Sequence, residues 1–275
     1  MKEQELKEIV RKKYGSIARK GGSCCQSSCC GTAAPREISK KVGYTDAELT
    51  AVPPGSNLGL GCGNPTALAS IKEGDTVLDL GSGAGFDCFL ASRKAGPGGK
   101  VIGVDMTAEM VQNARANALK GGYENVEFRQ GEIEKLPVED SSIDVIISNC
   151  VINLVPSKER AFKEAFRVLK PGGRLMVSDI VLHKELPDFI KGSIEAYTGC
   201  ISGALLKEDY LNAIRSAGFQ GVDVIEESVF PLDVSLDGQK CQANFGDVKV
   251  SNEELEKVKA TVISIKVAAV KPNLS

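Results

Sequence analysis

Cysteine is the residue type with most chemistry to offer in this chain: there are nine, against a single histidine, His183. Four crowd one stretch as CCQSSCC, which sets Cys24, Cys25, Cys29 and Cys30 among small residues ahead of Pro35. Three more stand alone in separate segments: Cys62 in PPGSNLGLGCGNP, Cys150 in VIISNCVINL and Cys200 in EAYTGCISGA. Thiols gathered from three segments make a soft, pyramidal donor set, suited to a thiophilic centre and unsuited to magnesium or calcium. Zinc also takes thiolates, usually with a fourth ligand, and spacing leaves it open. CCQSSCC is too tight for the separated pairs of a structural zinc site and reads as a loop of redox thiols. Cys150 by itself reads equally well as a ligand or a buried thiol, and Cys88 and Cys241 read as structural. With one histidine, mechanisms built on a histidine pair or triad have no material.

A second constellation is acidic and glycine-rich. In VLDLGSGAGFD, Asp79, Gly81, Ser82, Gly83 and Gly85 stand where a strand turns into a helix. Glycines there let backbone approach a ligand closely, and the helix that follows offers unpaired amides. Asp105 ends the next strand in VIGVDM, placed to accept from both hydroxyls of a ribose. Glu132, in GEI at the end of the third strand, is placed to read an adenine amine, with Ile133 or Met106 packing on the ring. Asn149 and Cys150 end the fourth strand, where open α/β sheets place a cofactor's reactive end. Glycines kept only for a tight turn would leave the acids at matching strand ends unexplained. The D-x-G-x-G-x-G spacing with those acids resembles the class I S-adenosylmethionine-dependent methyltransferases.

The elements that must position these residues alternate. Strands TVLDL, KVIGVDM, NVEFRQGE, IDVIISN and RLMVSD are separated by helices running through Ala95, from Thr107, and from Lys158 to Leu169. Short apolar strands between helices indicate a parallel sheet covered on both faces. A helix from Lys207 to Ala217 leads to GVDVIEESV, and VISIKVAAV follows later; these two strands complete a count of seven as an antiparallel pair at the edge. The expected fold is therefore α/β and Rossmann-like, with an insertion between RLMVSD and Lys207 and an excursion from Pro231 to Lys259. Three units are drawn: 1–50, an amphipathic helix from Glu3 to Arg19 and the cysteine loop; 51–180, the cofactor core; and 181–275, the substrate insertion, last core helix and final strands.

A formal net charge of −2 with interspersed signs gives no broad basic field, which argues against nucleic acid or an anionic membrane as partner. The charged, helix-period start carries no apolar run of signal-peptide or membrane-span length, so a cytoplasmic, monomeric protein with a small substrate is expected.

NLGLGCGNPTALASIKEGDTVLDLGSGAGFDCFLAS, GVDMTAEMV, ISNCVINLVP and YTGCISGA together resemble the arsenite methyltransferases of microbes, from about Pro35 to Pro272. The resemblance implies methyl transfer from S-adenosylmethionine to trivalent arsenic, presented as arsenite or its glutathione conjugate. It implies Cys150 and Cys200 as arsenic ligands, Cys62 as ligand or redox partner, and Cys29 or Cys30 as the N-terminal redox thiol. It also implies thioredoxin or glutathione as the reductant that reopens a disulfide after each turnover. Two other readings stay open at this point: a methyltransferase for a small organic acceptor such as a quinone precursor, and a metalloid sensor without turnover.

Overall fold

Runs of β-branched and aliphatic residues bounded by glycine and polar turns fold as strands where both their faces find cover. In the computed structural model, which describes residues 2–20, 35–187, 190, 194–230, 258 and 260–273, seven such runs form one sheet. They are β1 (Thr76–Leu80), β2 (Lys100–Asp105), β3 (Val126–Gln130), β4 (Ile143–Asn149), β5 (Leu169–Leu182), β6 (Gln220–Val229) and β7 (Val262–Val270), in the spatial order β3-β2-β1-β4-β5-β7-β6. The first five pair in parallel, and β7 lies antiparallel between β5 and β6. Strand order reverses between β1 and β4, so a crevice opens at their carboxyl ends.

The two faces of the sheet read directly from residue alternation. Leu78 and Leu80 of β1 enter one apolar cluster, together with Phe162 of helix α7 (Lys158–Val168) and Tyr210 of helix α9 (Lys207–Ser216). Val77 enters the opposite cluster, with Phe89 of helix α5 (Phe86–Ala95) and Ala114 of helix α6 (Ala108–Gly121). A third cluster holds Cys62, Cys150 and Cys200 with Val10 of the N-terminal helix α1 (Glu3–Lys20).

Several boundaries depart from the sequence reading. β5 does not stop at Asp179: it runs to Leu182 because β7 pairs with it continuously from Arg174 to Leu182, and it therefore crosses the division drawn at 181. Ahead of the core lie three short helices, α2 (Pro35–Lys41), α3 (Asp46–Thr50) and α4 (Pro65–Leu68). α3 is started by a capping box in which Thr45 and Glu48 satisfy each other's backbone amides. Within the insertion, α8 (Ile194–Thr198) is described. The CCQSSCC loop, Cys241 and most of the excursion from Pro231 lie outside the described residues. No helix among the described residues is long and apolar enough to cross a membrane.

Candidate functional site

A cavity enclosing about 1110 Å³, its solvent mouth included, opens over the carboxyl ends of β1, β2 and β4. Asp79, Gly81, Ser82, Gly83, Asp105, Met106, Glu132, Ile133, Asn149 and Cys150 all line it. Gly85 does not: it starts α5 at φ 94°, and a Cβ there would strike Phe128 and Phe89 at 2.8 Å, so its place is in the packing behind the wall. Gly83 faces open space within the cavity, at φ 52° with nothing within 4 Å of an added Cβ. Beside it the Ser82 hydroxyl is buried with no partner among the described residues. An unfilled cradle with an orphaned hydroxyl, bordered by strand-end carboxylates, fits a polar nucleotide-like cofactor.

Those carboxylates are held ready by burial. Asp105 accepts from the Gly83 amide at 3.0 Å and the Thr107 amide at 2.8 Å, which pull its pKa down against the larger upward push of burial. Burial, and then the neighbouring Asp87, raises Asp79 well above the usual carboxylate range. Burial likewise takes Asp87 up to about 6, although Tyr44 donates to it at 2.7 Å and Asn149 at 3.0 Å. Cys88 donates to Asp79 at 3.2 Å, so this thiol is structural in position.

Sequence reasoning missed both Tyr44 and Asp87. It also placed Asn149 against the cofactor, where the structure gives its side chain a second duty. Asn149 accepts the Cys62 amide at 3.0 Å and donates to the Gly63 carbonyl at 2.8 Å, tying the Cys62 segment to the end of β4. Two glycines make that contact possible: an added Cβ would fall 2.5 Å from the Asn149 amide nitrogen at Gly61 and 1.9 Å from the Ser178 hydroxyl at Gly63.

The three separate cysteines converge. Cys62 donates to the Ser178 carbonyl at 3.5 Å, and Cys200 donates to the Cys150 carbonyl at 3.1 Å. Hydrogen bonding with the Cys200 and Cys62 thiols, and then burial, pushes the Cys150 thiol well above its ordinary range; burial raises Cys62 as well. Without a ligand Cys62 and Cys150 are protonated thiols. Cys150 and Cys200 both hold left-handed backbone, at φ 60° and 65°, where a side chain is unfavourable. Cys150 lines the first cavity, whereas Cys62 lines a second one with Glu226, Ser264 and Lys266 that shares no residue with it. The cluster thus touches two spaces.

Beneath the thiols sits Asp179, fully buried and raised to about 7 by that burial. It accepts from Asn153 and the Ile180 amide, each at 2.9 Å, and from the Tyr210 hydroxyl at 3.2 Å. Lys158, whose pKa burial lowers and Asp179 pulls back up, donates to the Val155 carbonyl at 2.9 Å.

α1 roofs the first cavity. Lys7, Val10 and Tyr14 line it, and Lys7 pairs with Glu132 at 2.7 Å and Glu134 at 2.5 Å. Tyr14 donates to the Thr198 carbonyl at 3.3 Å, next to the Cys200 turn. One helix therefore borders both halves of the site.

Residues 71–218 match the family model described as a methyltransferase domain. An arsenite methyltransferase of Aquipseudomonas alcaligenes is 35% identical over 86% of this chain and 68% of its own length. The chain belongs to the arsenite methyltransferase family. An arsenite methyltransferase of Halobacterium salinarum is 47% identical over 80% of this chain, which spans 59% of that relative's length. Among solved structures, an arsenic(III) S-adenosylmethionine methyltransferase of Chlamydomonas reinhardtii superposes with a TM-score of 0.63 at 31% identity, covering 86% of this chain and 74% of that one. The glycine loop and the strand-end acids border the crevice at the carboxyl ends of the strands, the place where open α/β sheets take their ligands.

Proposed function

We propose that this chain transfers a methyl group from S-adenosylmethionine to trivalent arsenic held by Cys62, Cys150 and Cys200. The observation that carries the reading is the meeting of three thiols from three distant segments, one of them in the wall of the cofactor cavity. S-adenosylmethionine, when bound, supplies an electrophilic methyl group on a sulfonium.

The residues explain why no histidine base is needed. Each neutral thiol gives its proton to a hydroxide leaving arsenite, so three thiols and As(OH)3 become a trithiolate and three waters without net proton uptake. Arsenic keeps its lone pair, which forms the new bond to the methyl carbon as the carbon–sulfonium bond breaks. The chain's part is alignment and exclusion of water, from the apolar cluster around the thiols and the roof made by Val10 and Tyr14.

Arsenic leaves that step formally pentavalent. Two arsenic-bound thiolates return two electrons to it by leaving together as a disulfide, and water takes a vacated place on arsenic with loss of a proton; Cys62 and Cys150 are neighbours suited to this, and the thiol of Cys29 or Cys30, attacking the Cys62 sulfur and releasing one proton, is the further partner the family resemblance suggests. Thioredoxin or glutathione then reopens the disulfide by exchange. Arsenite or its glutathione conjugate is the expected acceptor.

The test is incubation of the purified chain with S-adenosylmethionine, arsenite and glutathione, with methylated arsenic read by chromatography and elemental detection. Cys150→Ser is expected to lose arsenite binding and product while keeping cofactor affinity. Full activity in that variant, or no product from the unaltered chain, would sink the reading.

A further inference from the structure

The thiol cluster has an oxygen donor that the arsenic chemistry does not use. One carboxylate oxygen of Asp179, the Cys62 sulfur and the Cys150 sulfur all lie within 4.8 Å of one another, and all three residues are buried. A tetrahedral zinc ion bonds thiolate sulfur at about 2.3 Å and carboxylate oxygen at about 2.0 Å, so modest side-chain rotations bring these donors to a common centre. We propose that Cys62, Cys150 and Asp179 form a site for a thiophilic divalent cation, zinc or cadmium, which competes with arsenite for the two thiols. The cation site stands on its own geometry; the competition rests on the arsenic reading above.

The two occupants differ in what they need beyond sulfur. Trivalent arsenic is pyramidal, its lone pair filling the remaining corner. A zinc or cadmium ion has no stereochemically active lone pair and takes another donor there, and a mixed sulfur and oxygen set suits it. Asp179 is held in place for the task, since Asn153 and the Ile180 amide donate to one of its carboxylate oxygens and the Tyr210 hydroxyl to the other, as the outer shell of a metal-binding carboxylate does.

Charge also balances. Two thiolates, one carboxylate and a divalent cation leave a single negative charge, and Lys158, which interacts electrostatically with Asp179, offsets it. Each thiol, and the carboxylic acid where it is protonated, releases its proton to solvent on binding. The cavity that reaches Cys62 beside Glu226 and Ser264 offers a way in that does not pass the cofactor.

The experiment uses the full chain, reduced, with Cys24, Cys25, Cys29 and Cys30 changed to serine so that these thiols do not take up the metal. Cadmium is titrated by equilibrium dialysis and by the ultraviolet sulfur-to-cadmium charge-transfer band. A single buried equivalent is expected, lost in Cys62→Ser, weakened by at least about tenfold in Asp179→Asn, and displaced one for one by arsenite. Asp179→Asn keeps the acceptor for Asn153 and Ile180, and unchanged S-adenosylmethionine affinity certifies its fold. The cadmium-113 resonance of the chain with Asp179 intact tests the carboxylate independently, because an oxygen ligand moves it upfield of an all-thiolate site. Cadmium affinity unaffected by Asp179→Asn, or an all-thiolate resonance, overturns the proposal. Arsenite binding without any cadmium equivalent overturns it while leaving the arsenic reading intact. Cadmium binding as described with no arsenite binding upholds the cation site and removes the arsenic reading.

Discussion

Burial raises the Asp79 carboxyl well above the usual range and Asp87 to about 6, so cofactor binding is expected to depend on pH. A ligand bearing sulfonium and ammonium charge favours the ionised carboxylate. Below about 6, where Asp87 is protonated, Asp87 must give up a proton as the cofactor enters; above it, Asp87 releases none. S-adenosylmethionine affinity is therefore expected to rise as pH climbs through 6, by no more than about tenfold per pH unit for the Asp87 proton. Calorimetric titration at acid and alkaline pH checks this, and Asp87→Asn should flatten the profile. The same scale shows what a sequence conceals. Asp79 and Asp105 were found because they stand at strand ends beside glycines. Tyr44 and Asp179 were not, because nothing local marks a tyrosine 43 residues from its carboxylate partner, or an acid inside an apolar strand.

Element by element, periodicity was a good guide to the sheet and to the helices α5, α6, α7 and α9 packed on it, and a poor one to what lies over the strand ends. The five parallel strands and the antiparallel edge pair were readable because buried strands are short, β-branched and separated by helices of the right length. The length of β5 was not, since its last residues are strand only by virtue of β7 beside them. α1 was recognised as amphipathic, but its role depends on what its polar face meets. Lys7 lies between Glu132 and Glu134, and the Glu134 side chain is only 4% exposed. Lys7→Met keeps the aliphatic stem and removes the charge, leaving Glu134 with Arg160 as its remaining cation among the described residues. The expected loss is about 2 kcal/mol, because a buried carboxylate is left underpaired. Urea melts check it, with Lys12→Met as control: its pair with Glu8 is solvent-exposed and should matter by less than about 0.5 kcal/mol.

At the scale of the whole molecule, two features argue that turnover and binding are separable. The buried thiols belong to the core of the fold, whereas the CCQSSCC thiols belong to a separate stretch of sequence. Changing Cys24, Cys25, Cys29 and Cys30 together to serine is expected to leave a single turnover of methyl transfer intact and to slow those that follow. Rapid-quench measurement with limiting and excess arsenite distinguishes the two phases. Equal loss in both would place these thiols in arsenic binding instead.

The left-handed backbone at Cys150 and Cys200 sets stability against function. Each position would rest more easily as glycine, which accepts that conformation without the penalty of about 1 kcal/mol that other residues bear. Cys150→Gly should therefore melt higher than Cys150→Ala, although both lack the sulfur. A thiol at either site therefore sits against the preference of its own main chain, a cost in robustness that glycine would not carry.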